Sequence, residues 1–168
     1  MTAANTHAEV LEEVEAKFGF VPNLFREMAR SPAVARVYLR GQEAMEEASL
    51  SVPERQVVQL AVAVYNECAY CRAAHATGCQ RAGVPAAEID AIEKGSLPED
   101  RRLRSLVSAT WQVLDTRGWL GAPDLATLEA DGMARHEVYE VVALIGLKTI
   151  SNYINHMAHT PIDEAFKK

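Results

Sequence analysis

Residues 53–83 read PERQVVQLAVAVYNECAYCRAAHATGCQRAG and contain all three cysteines of the chain. Between Val57 and Val64 the only polar residue is Gln59, and a helix that is apolar all round is typically buried. Gly83 predicts the end of the helical pattern that follows. The stretch therefore predicts a buried helix and then a second helical segment, which either continues the first helix or begins a new one.

Helical patterns continue on both sides of this stretch, and signals for strands are nearly absent. Ser51 is followed three residues later by Glu54, the spacing of a capping box. The other predicted helices lie at 7–18, 23–29, 33–48, 86–95, 99–116, 123–130 and 135–157. We expect the two most apolar patterns, at 54–64 and 138–150, to be central and to pack on each other. The core-facing stripe predicted for the last helix is Val138, Val141, Val142, Ile145, Ile150, Tyr153, Ile154 and Met157.

These patterns predict an all-α fold, a helical bundle in a single domain. No long linker or low-complexity segment divides the chain. The predicted domain spans residues 1–168, with N-terminal helices at 7–48, a motif core at 53–92 and C-terminal helices at 99–157.

Composition and charge restrict the function classes. The chain has 168 residues, with 17 basic and 23 acidic side chains and a net charge of −6. Nucleic acids and anionic membranes attract a positive surface, so neither is an expected partner. The N-terminus lacks the pattern of a secretory signal, and no apolar run approaches the about 20 residues of a membrane helix. We therefore expect a cytoplasmic protein, in which a CxxC pair is more often catalytic or metal-binding than a structural disulfide.

A metal site is one interpretation of the cysteine spacing. If residues 68–79 form one helix, Cys68, Cys71, His75 and Cys79 share a face within about 80°. Cys68 and Cys79 would then be about 16 Å apart along the axis, too far for one zinc ion with ligands at about 2.0–2.3 Å. The other three side chains could approach one ion, but no second CxxC or HxxxH completes a tetrahedral set. A metal site formed by Cys68, Cys71 and His75 therefore stays a lesser alternative.

Thiol–disulfide chemistry fits the same spacing better. Residues three apart in a first helical turn have Cα atoms about 5–6 Å apart, within the range of a disulfide. The helix N-terminus lowers the pKa of a thiol placed there, and His75, one turn beyond Cys71, is in reach to accept or relay a proton. A thiolate, a resolving thiol and a nearby base make up a two-cysteine redox site. The alternative is that the cysteines are small buried apolar residues, which is the interpretation we favour for Cys79.

The stretch PERQVVQLAVAVYNECAYCRAAHATGCQRAGVPAAEIDAI resembles the core of the AhpD-like fold, in the carboxymuconolactone decarboxylase superfamily. The residues that match its alkylhydroperoxidase branch, which has a CxxCxxxH motif, are Cys68, Cys71, His75, Gly83 and the Glu88-Ile89 pair. FGFVPNLFREMARSP and SNYINHMAHTPIDE resemble flanking regions of the superfamily. The resemblance implies an all-α bundle that assembles as a homo-oligomer, a trimer or a hexamer. The decarboxylase branch lacks the CxxC, so lactone decarboxylation is not expected.

The resemblance also implies a role for each residue of the motif. Cys71 is the peroxidatic cysteine, which attacks the peroxide and becomes a sulfenic acid. Cys68 resolves it to a disulfide and meets the external reductant, and His75 belongs to a proton relay. No cofactor and no metal are implied. The implied partners are an organic hydroperoxide or a small disulfide as substrate and a dithiol reductant such as a lipoyl-bearing protein.

One position departs from the family pattern. The relay glutamate of the family lies twelve residues before the first cysteine, where this chain has Gln56, an amide that cannot take a proton. We expect Gln56 to act as a hydrogen-bonding residue behind the site. Glu67 either substitutes for the relay glutamate or only stabilises the helix N-terminus. Tyr70, between the two cysteines, is either a packing residue or part of the chemistry.

The sequence therefore predicts a thiol-dependent hydroperoxide reductase or thiol–disulfide oxidoreductase. The main alternative is a non-catalytic redox sensor or oligomeric scaffold of the same fold, in which a reversible disulfide changes only the packing. His156, on the last predicted helix, is expected to be an interface or cap residue rather than a member of the site.

Overall fold

The computed structural model describes residues 6–167, and every regular element in that range is helical. The α-helices of this range are α1 (His7–Phe18), α2 (Asn23–Met28), α3 (Pro32–Ala44), α4 (Val52–Tyr65), α5 (Ala69–Arg81), α6 (Ala86–Glu93), α7 (Arg101–Thr116), α8 (Ala122–Ala130) and α9 (Arg135–Ala158). Short 3-10 turns follow at Met45–Glu47 and Glu164–Phe166. The prediction of an all-α single-domain fold is confirmed.

The helix boundaries follow the cap signals of the sequence. Gly19 ends α1 with a φ of 77°, a left-handed conformation that glycine adopts without the strain imposed by a Cβ. At the start of α4 the Glu54 carboxylate accepts hydrogen bonds from the backbone N–H of Ser51 at 2.7 Å and from its hydroxyl at 2.6 Å. Helix α3 is shorter than predicted, because the chain changes to a 3-10 turn after Ala44.

Helix α4 is the central element and contacts α5, α6, α7 and α9. All of its residues from 57 to 63 are buried, including Gln59, as the apolar pattern predicts. The predicted packing of α4 against the last helix is confirmed. Since α4 touches both α5 and α9, it holds together the two helices that provide most of the polar residues described below.

The buried face of α9 differs from the predicted stripe. Val138 and Val141 are buried as predicted, but Val142, Tyr153 and Met157 are 46%, 55% and 76% exposed. In the second half of the helix the buried face is polar and consists of Lys148, Ser151, Asn152 and Asn155. Apolar periodicity selected the wrong face there, because it takes the polar side of a helix to be the solvent side.

The junction between α4 and α5 is a sharp turn rather than a continuous helix. Glu67 has a φ of 55°, a left-handed conformation that is uncommon for a residue with a Cβ. Cys68 follows in extended conformation as the N-cap of α5, and its N–H donates to Ala63 O over 3.0 Å. The helix that was expected to include Cys68 therefore begins one residue later, at Ala69.

Within residues 6–167, none of the helices combines the length and the apolar content needed to cross a bilayer.

Candidate active site

The two cysteines of the CxxC motif lie at the start of α5. Cys68 is the N-cap residue and Cys71 lies in the first turn, and each has only 1% of its surface exposed. Both are free thiols, and the interaction between their side chains shifts the pKa values of the two sulfurs in opposite directions. Their spacing suits a reversible disulfide, since residues three apart in a first turn are within bridging range.

Helix α9 provides polar contacts to the second cysteine. Asn155 Nδ2 donates a hydrogen bond to Cys71 Sγ over 3.2 Å, and Ser151 Oγ lies 3.8 Å from the same sulfur. Both α9 residues are buried. Hydrogen bonds donated to a sulfur favour its ionised form, because a thiolate is a stronger acceptor than a thiol.

A buried cation lies beside the thiols. Lys148 is 1% exposed; its Nζ donates to Tyr38 Oη over 3.1 Å and lies 5.6 Å from the centroid of the same ring. Among residues 6–167 no carboxylate forms an ion pair with Lys148, and the Cys71 thiolate is the largest source of negative charge that acts on it. An unpaired ammonium in a protein interior costs several kcal/mol. Burial acts to lower the pKa of Lys148, but the Cys71 thiolate and Tyr38 outweigh it, and the net shift is upward.

The pKa values of the two thiols are shifted in opposite directions. For Cys71 the largest cause is the hydrogen bond from Cys68, and the charge of Lys148 adds to it. Hydrogen bonds with the α9 side chains Ser151 and Asn155 contribute further, and together these interactions outweigh burial and lower the pKa of Cys71 to about 5. The hydrogen bond to Cys71 and burial raise the pKa of Cys68. At neutral pH Cys71 is therefore the thiolate and Cys68 the thiol.

His75 lies one turn beyond Cys71 and contacts Gln56. Its Nδ1 is 2.9 Å from Gln56 Oε1, an amide oxygen that accepts the ring proton when Nδ1 is protonated. Gly78 permits this contact, because a Cβ there would lie 2.3 Å from Gln56 Oε1. Burial and the charge of Lys148 hold the pKa of His75 well below its ordinary value. The imidazole is therefore neutral at pH 7.

Tyr70 and Glu67, the two residues beside the cysteines that the sequence left with alternative roles, have different surroundings. The Tyr70 hydroxyl donates to Asp163 Oδ2 over 2.5 Å and accepts from the backbone N–H of Leu24 over 3.4 Å. This buried residue therefore fastens the C-terminal segment to α2, a packing role. Glu67 is exposed, and no hydrogen bond joins its carboxylate to either thiol in the described part of the chain. The structure thus gives Glu67 no contact through which it could replace the relay glutamate.

A cavity of about 590 Å³ gives access to the second cysteine. Cys71, His75, Gln56, Lys148 and Tyr38 all line it, whereas Cys68 is not among the lining residues. Aromatic rings form much of the remaining wall, from Phe18, Phe20, Phe25, Tyr70 and Phe166. The cavity is thus a mainly apolar space with a thiolate, a cation and a neutral imidazole at its wall.

Cys79 and His156, which do not belong to the CxxCxxxH motif, lie outside this cavity. Cys79 is fully buried and packs among apolar side chains such as Val57 and Leu60, and burial raises the pKa of its thiol to about 12. His156 is exposed, and its ring stacks on Tyr153 with centroids 6.2 Å apart. Within residues 6–167 no group of three or more His, Cys, Asp or Glu side chains is arranged to hold a metal ion.

Sequence reasoning missed four residues around the thiolate: Tyr38, Lys148, Ser151 and Asn155. It attributed the activation of Cys71 to the helix N-terminus and to His75, yet no hydrogen bond joins His75 to Cys71 among the described residues. A signal was present, since the polar residues at positions 148, 151, 152 and 155 have the spacing of one helical face. In a helix with this much apolar content, such a face is a candidate for a buried polar site.

The match to known families covers the centre of the chain. Residues 32–98 match the carboxymuconolactone decarboxylase family. None of the curated proteins matches the sequence significantly.

Solved structures share the fold over nearly the whole chain. The alkylhydroperoxidase AhpD core of a peroxidase-related protein from Ralstonia eutropha JMP134 has a TM-score of 0.82 and 23% identity, over 95% of this chain and 87% of that one. A peroxidase-related protein from Silicibacter sp. TM1040 has a TM-score of 0.80 and 16% identity, over 95% and 85% of the two chains. The debrominase Bmp8 has a TM-score of 0.73 and 15% identity, over 95% and 87%. Residues 32–98 therefore match the model of the carboxymuconolactone decarboxylase family, and the chain has the AhpD-like fold.

Proposed function

We propose that the protein is a thiol-dependent hydroperoxide reductase in which Cys71 is the peroxidatic residue and Cys68 the resolving one. The observation that supports this most strongly is the lowered pKa of Cys71 in a cavity large enough for a substrate. A thiolate is the nucleophilic form of cysteine. The raised pKa of Cys68 complements it, because a neighbouring thiol is what a sulfenic acid requires for resolution.

The reaction divides into three steps. The Cys71 thiolate attacks the terminal oxygen of the hydroperoxide, the O–O bond breaks, and Cys71 becomes a sulfenic acid while an alkoxide leaves. The Cys68 sulfur then displaces the hydroxyl group of the sulfenic acid, so that a disulfide forms and water is released. An external dithiol finally reduces the disulfide and is itself oxidised to a disulfide.

The cavity favours an organic hydroperoxide over a small polar oxidant. Its volume of about 590 Å³ and its aromatic walls match an apolar substrate body. We therefore propose an organic hydroperoxide as substrate. Cumene hydroperoxide should be reduced with a higher kcat/KM than hydrogen peroxide, because only the former can bury apolar surface against these rings.

The burial of Cys68 limits how an external reductant can reach its sulfur. Cys68 is 1% exposed and lies outside the cavity lining, so a dithiol on a partner such as a lipoyl-bearing protein must displace the turn that precedes it. This turn includes Glu67 in its left-handed conformation, and Asn66 Nδ2 holds it to α9 by donating to Asn152 Oδ1 over 2.8 Å. We propose that this turn opens when the disulfide is reduced.

Assembly and location are part of the same proposal. Large apolar side chains on the surface, such as Tyr139, Tyr153 and Met157 of α9, are 55–76% exposed. Apolar surface of this kind is what a homo-oligomer would cover. We propose a homo-oligomer, a trimer or a hexamer, in the reducing environment of the cytoplasm.

The alternative is a redox sensor, which forms the disulfide but does not turn over. The test is the steady-state consumption of cumene hydroperoxide with dihydrolipoamide as reductant. Turnover should be lost in Cys71→Ala and Cys68→Ala and retained in Cys79→Ala, a matched control at a buried thiol outside the cavity. A single oxidation to the disulfide without turnover would favour the sensor, and equal rates in the wild type and Cys71→Ala would contradict both.

A further inference from the structure

We propose that the leaving oxygen of the hydroperoxide takes its proton from the Tyr38 hydroxyl, and that Lys148 then replaces the proton of Tyr38. This inference rests on the proposed function, because it assigns the acid for the first step of that reaction. Tyr38 would be a catalytic residue that touches the substrate, and Lys148 a positioning residue and proton source that acts through it.

The geometry of three cavity residues supports this assignment. Tyr38, Cys71 and Lys148 line the same cavity. The Tyr38 oxygen already accepts a hydrogen bond from Lys148 Nζ over 3.1 Å, so its own proton is directed to another acceptor. The described residues show no other hydrogen bond of this hydroxyl. An alkoxide formed in the cavity beside Cys71 is such an acceptor.

The charge balance of the buried site independently supports the proton path from Lys148 through Tyr38. In the reduced state the Cys71 thiolate compensates the Lys148 ammonium, and both are 1% exposed. Oxidation of Cys71 removes the negative charge, which would leave a buried ammonium without a counter-ion, an energetically unfavourable state. Release of one proton from Lys148 restores neutrality in the same step. In this step the alkoxide leaving group needs one proton, and the buried site must lose one proton.

The atoms and charges then balance through the first step. The sulfur of Cys71 donates an electron pair to the terminal oxygen, the O–O bond breaks, and the sulfenic acid and an alkoxide form. The alkoxide takes the Tyr38 proton and leaves as the alcohol, and the tyrosinate takes a proton from the ammonium of Lys148. The products are the sulfenic acid, the alcohol, neutral Tyr38 and a neutral Lys148 amine. The hydroperoxide is the oxidant and Cys71 the group oxidised.

His75 is a weaker candidate for this acid. The other titratable groups near Lys148 are Cys68, Cys71 and His75, all at α5 or its N-cap, and Tyr38 on α3. Burial and the charge of Lys148 keep His75 neutral, and its Nδ1 is engaged with Gln56. A neutral imidazole is a poor proton donor. Cys68 is needed as the resolving thiol, which leaves Tyr38.

The test compares two oxidants that differ in their leaving group. With tert-butyl hydroperoxide the leaving group is an alkoxide that needs a proton, whereas with meta-chloroperoxybenzoic acid it is a carboxylate that does not. The single-turnover rate of disulfide formation is measured for the reduced protein with each oxidant by quenching and mass spectrometry. Tyr38→Phe should slow the reaction with tert-butyl hydroperoxide by about 10²- to 10⁴-fold, the usual contribution of a general acid. The rate with the peracid should change by less than about threefold, because the thiolate is still present.

Two further variants complete the design. Lys148→Arg retains the positive charge beside Cys71 but cannot release a proton, so it should show the same selective loss as Tyr38→Phe. Tyr65→Phe is the matched control, because it removes a tyrosine hydroxyl that bonds Asp115 over 2.8 Å, and neither residue lines the cavity. It should leave both rates unchanged.

Each outcome is decisive. A selective loss with the alkyl hydroperoxide in Tyr38→Phe supports the proton path, and selective loss in Lys148→Arg supports the lysine as its source. Equal slowing with both oxidants, or no slowing with either, overturns the proton path while leaving the peroxidatic role of Cys71 intact. A wild-type protein whose Cys71 reacts with neither oxidant overturns the proposed function itself. If Lys148→Arg does not fold, Tyr38→Phe alone still decides whether the tyrosine is the acid.

Discussion

Asn155 Nδ2 donates a hydrogen bond to Cys71 Sγ over 3.2 Å and so joins the last long helix to the first turn of α5. The two residues are 84 positions apart in the chain. The contact places an amide donor on a sulfur that also faces the positive charge of Lys148. Fold and thiol chemistry therefore depend on the same packing of α9 on α5.

Replacement of Asn155 by leucine should raise the pKa of Cys71. A hydrogen bond to a charged group contributes about 1.5–3 kcal/mol, so the thiolate fraction below the pKa should fall about tenfold or more. The measurement is the rate of Cys71 alkylation by iodoacetamide as a function of pH. Asn152→Leu is the matched control on the same buried face, because the Asn152 amide bonds Asn66 and not the thiol. Equal shifts in both variants would contradict a specific role for Asn155.

Stability should rise with pH across the titration of the second cysteine. The pKa of Cys71 is lowered to about 5 in the folded protein, below the about 8.5 of a free thiol. Its ionisation therefore stabilises the fold fully above the unfolded value, and this contribution is lost as the pH falls through the folded value. The pKa of Lys148 is raised in the folded state, so the lysine stays protonated in both states over this range.

The measurement is the free energy of unfolding in urea between pH 5 and 9 under reducing conditions. Its difference between the wild type and the double variant Cys71→Ala/Lys148→Met, which lacks both charges, should increase with pH and level off near the free-thiol value. A pH-independent difference would mean that the thiolate is not stabilised by the fold. The single Cys71→Ala variant is unsuitable, because its unpaired Lys148 would titrate as well.

Gly78 should be needed for the position of Gln56. A Cβ at Gly78 would lie 2.3 Å from Gln56 Oε1, so Gly78→Ala should displace this amide from its 2.9 Å contact with His75 Nδ1. The expected readout is a change in the His75 ring resonances in nitrogen–proton NMR spectra. Gly146→Ala is the control, since a Cβ there meets nothing within 4 Å, and in a helix it should be neutral or stabilising by up to about 1 kcal/mol. Unchanged His75 resonances in Gly78→Ala would contradict the role of this glycine.

Placing a carboxylate beside His75 should change the ionisation of its imidazole. In Gln56→Glu the new negative charge would lie next to His75 Nδ1, and an opposite charge at hydrogen-bond distance favours the imidazolium. The pKa of His75 should therefore rise from its present low value, as measured by NMR titration. Gln80→Glu, on an exposed position of α5, should leave His75 unaffected. A histidine that does not titrate above pH 5 in Gln56→Glu would show that burial and Lys148 still dominate.

The sequence was sufficient for the all-α fold and for those helix boundaries that have local cap signals. Gly19 and the Ser51–Glu54 box are local signals with local effects, so helix boundaries near them could be read directly. The pairing of Cys68 with Cys71 is likewise local, since three residues of helix bring the thiols together.

The polar residues that α9 contributes to the site could not be predicted from the sequence in the same way. Lys148 and Asn155 lie in a helix rich in apolar residues, where polar positions are normally assigned to solvent. Only the packing of α9 against α5 shows that this side is buried and that its charge is compensated by a thiolate. Tyr38, on α3, enters through tertiary structure alone and has no sequence signal that links it to the CxxC motif.

The pKa of Cys71 in the wild-type protein is the measurement that tests the central claim most directly. The rate of iodoacetamide alkylation at Cys71, resolved by peptide mass spectrometry across pH, should give a midpoint well below that of a free thiol. Lys148→Met should move that midpoint upward, because the cation that stabilises the thiolate is gone. A wild-type midpoint near the about 8.5 of an unperturbed cysteine, unchanged in Lys148→Met, would contradict the claim that this site maintains an activated thiolate.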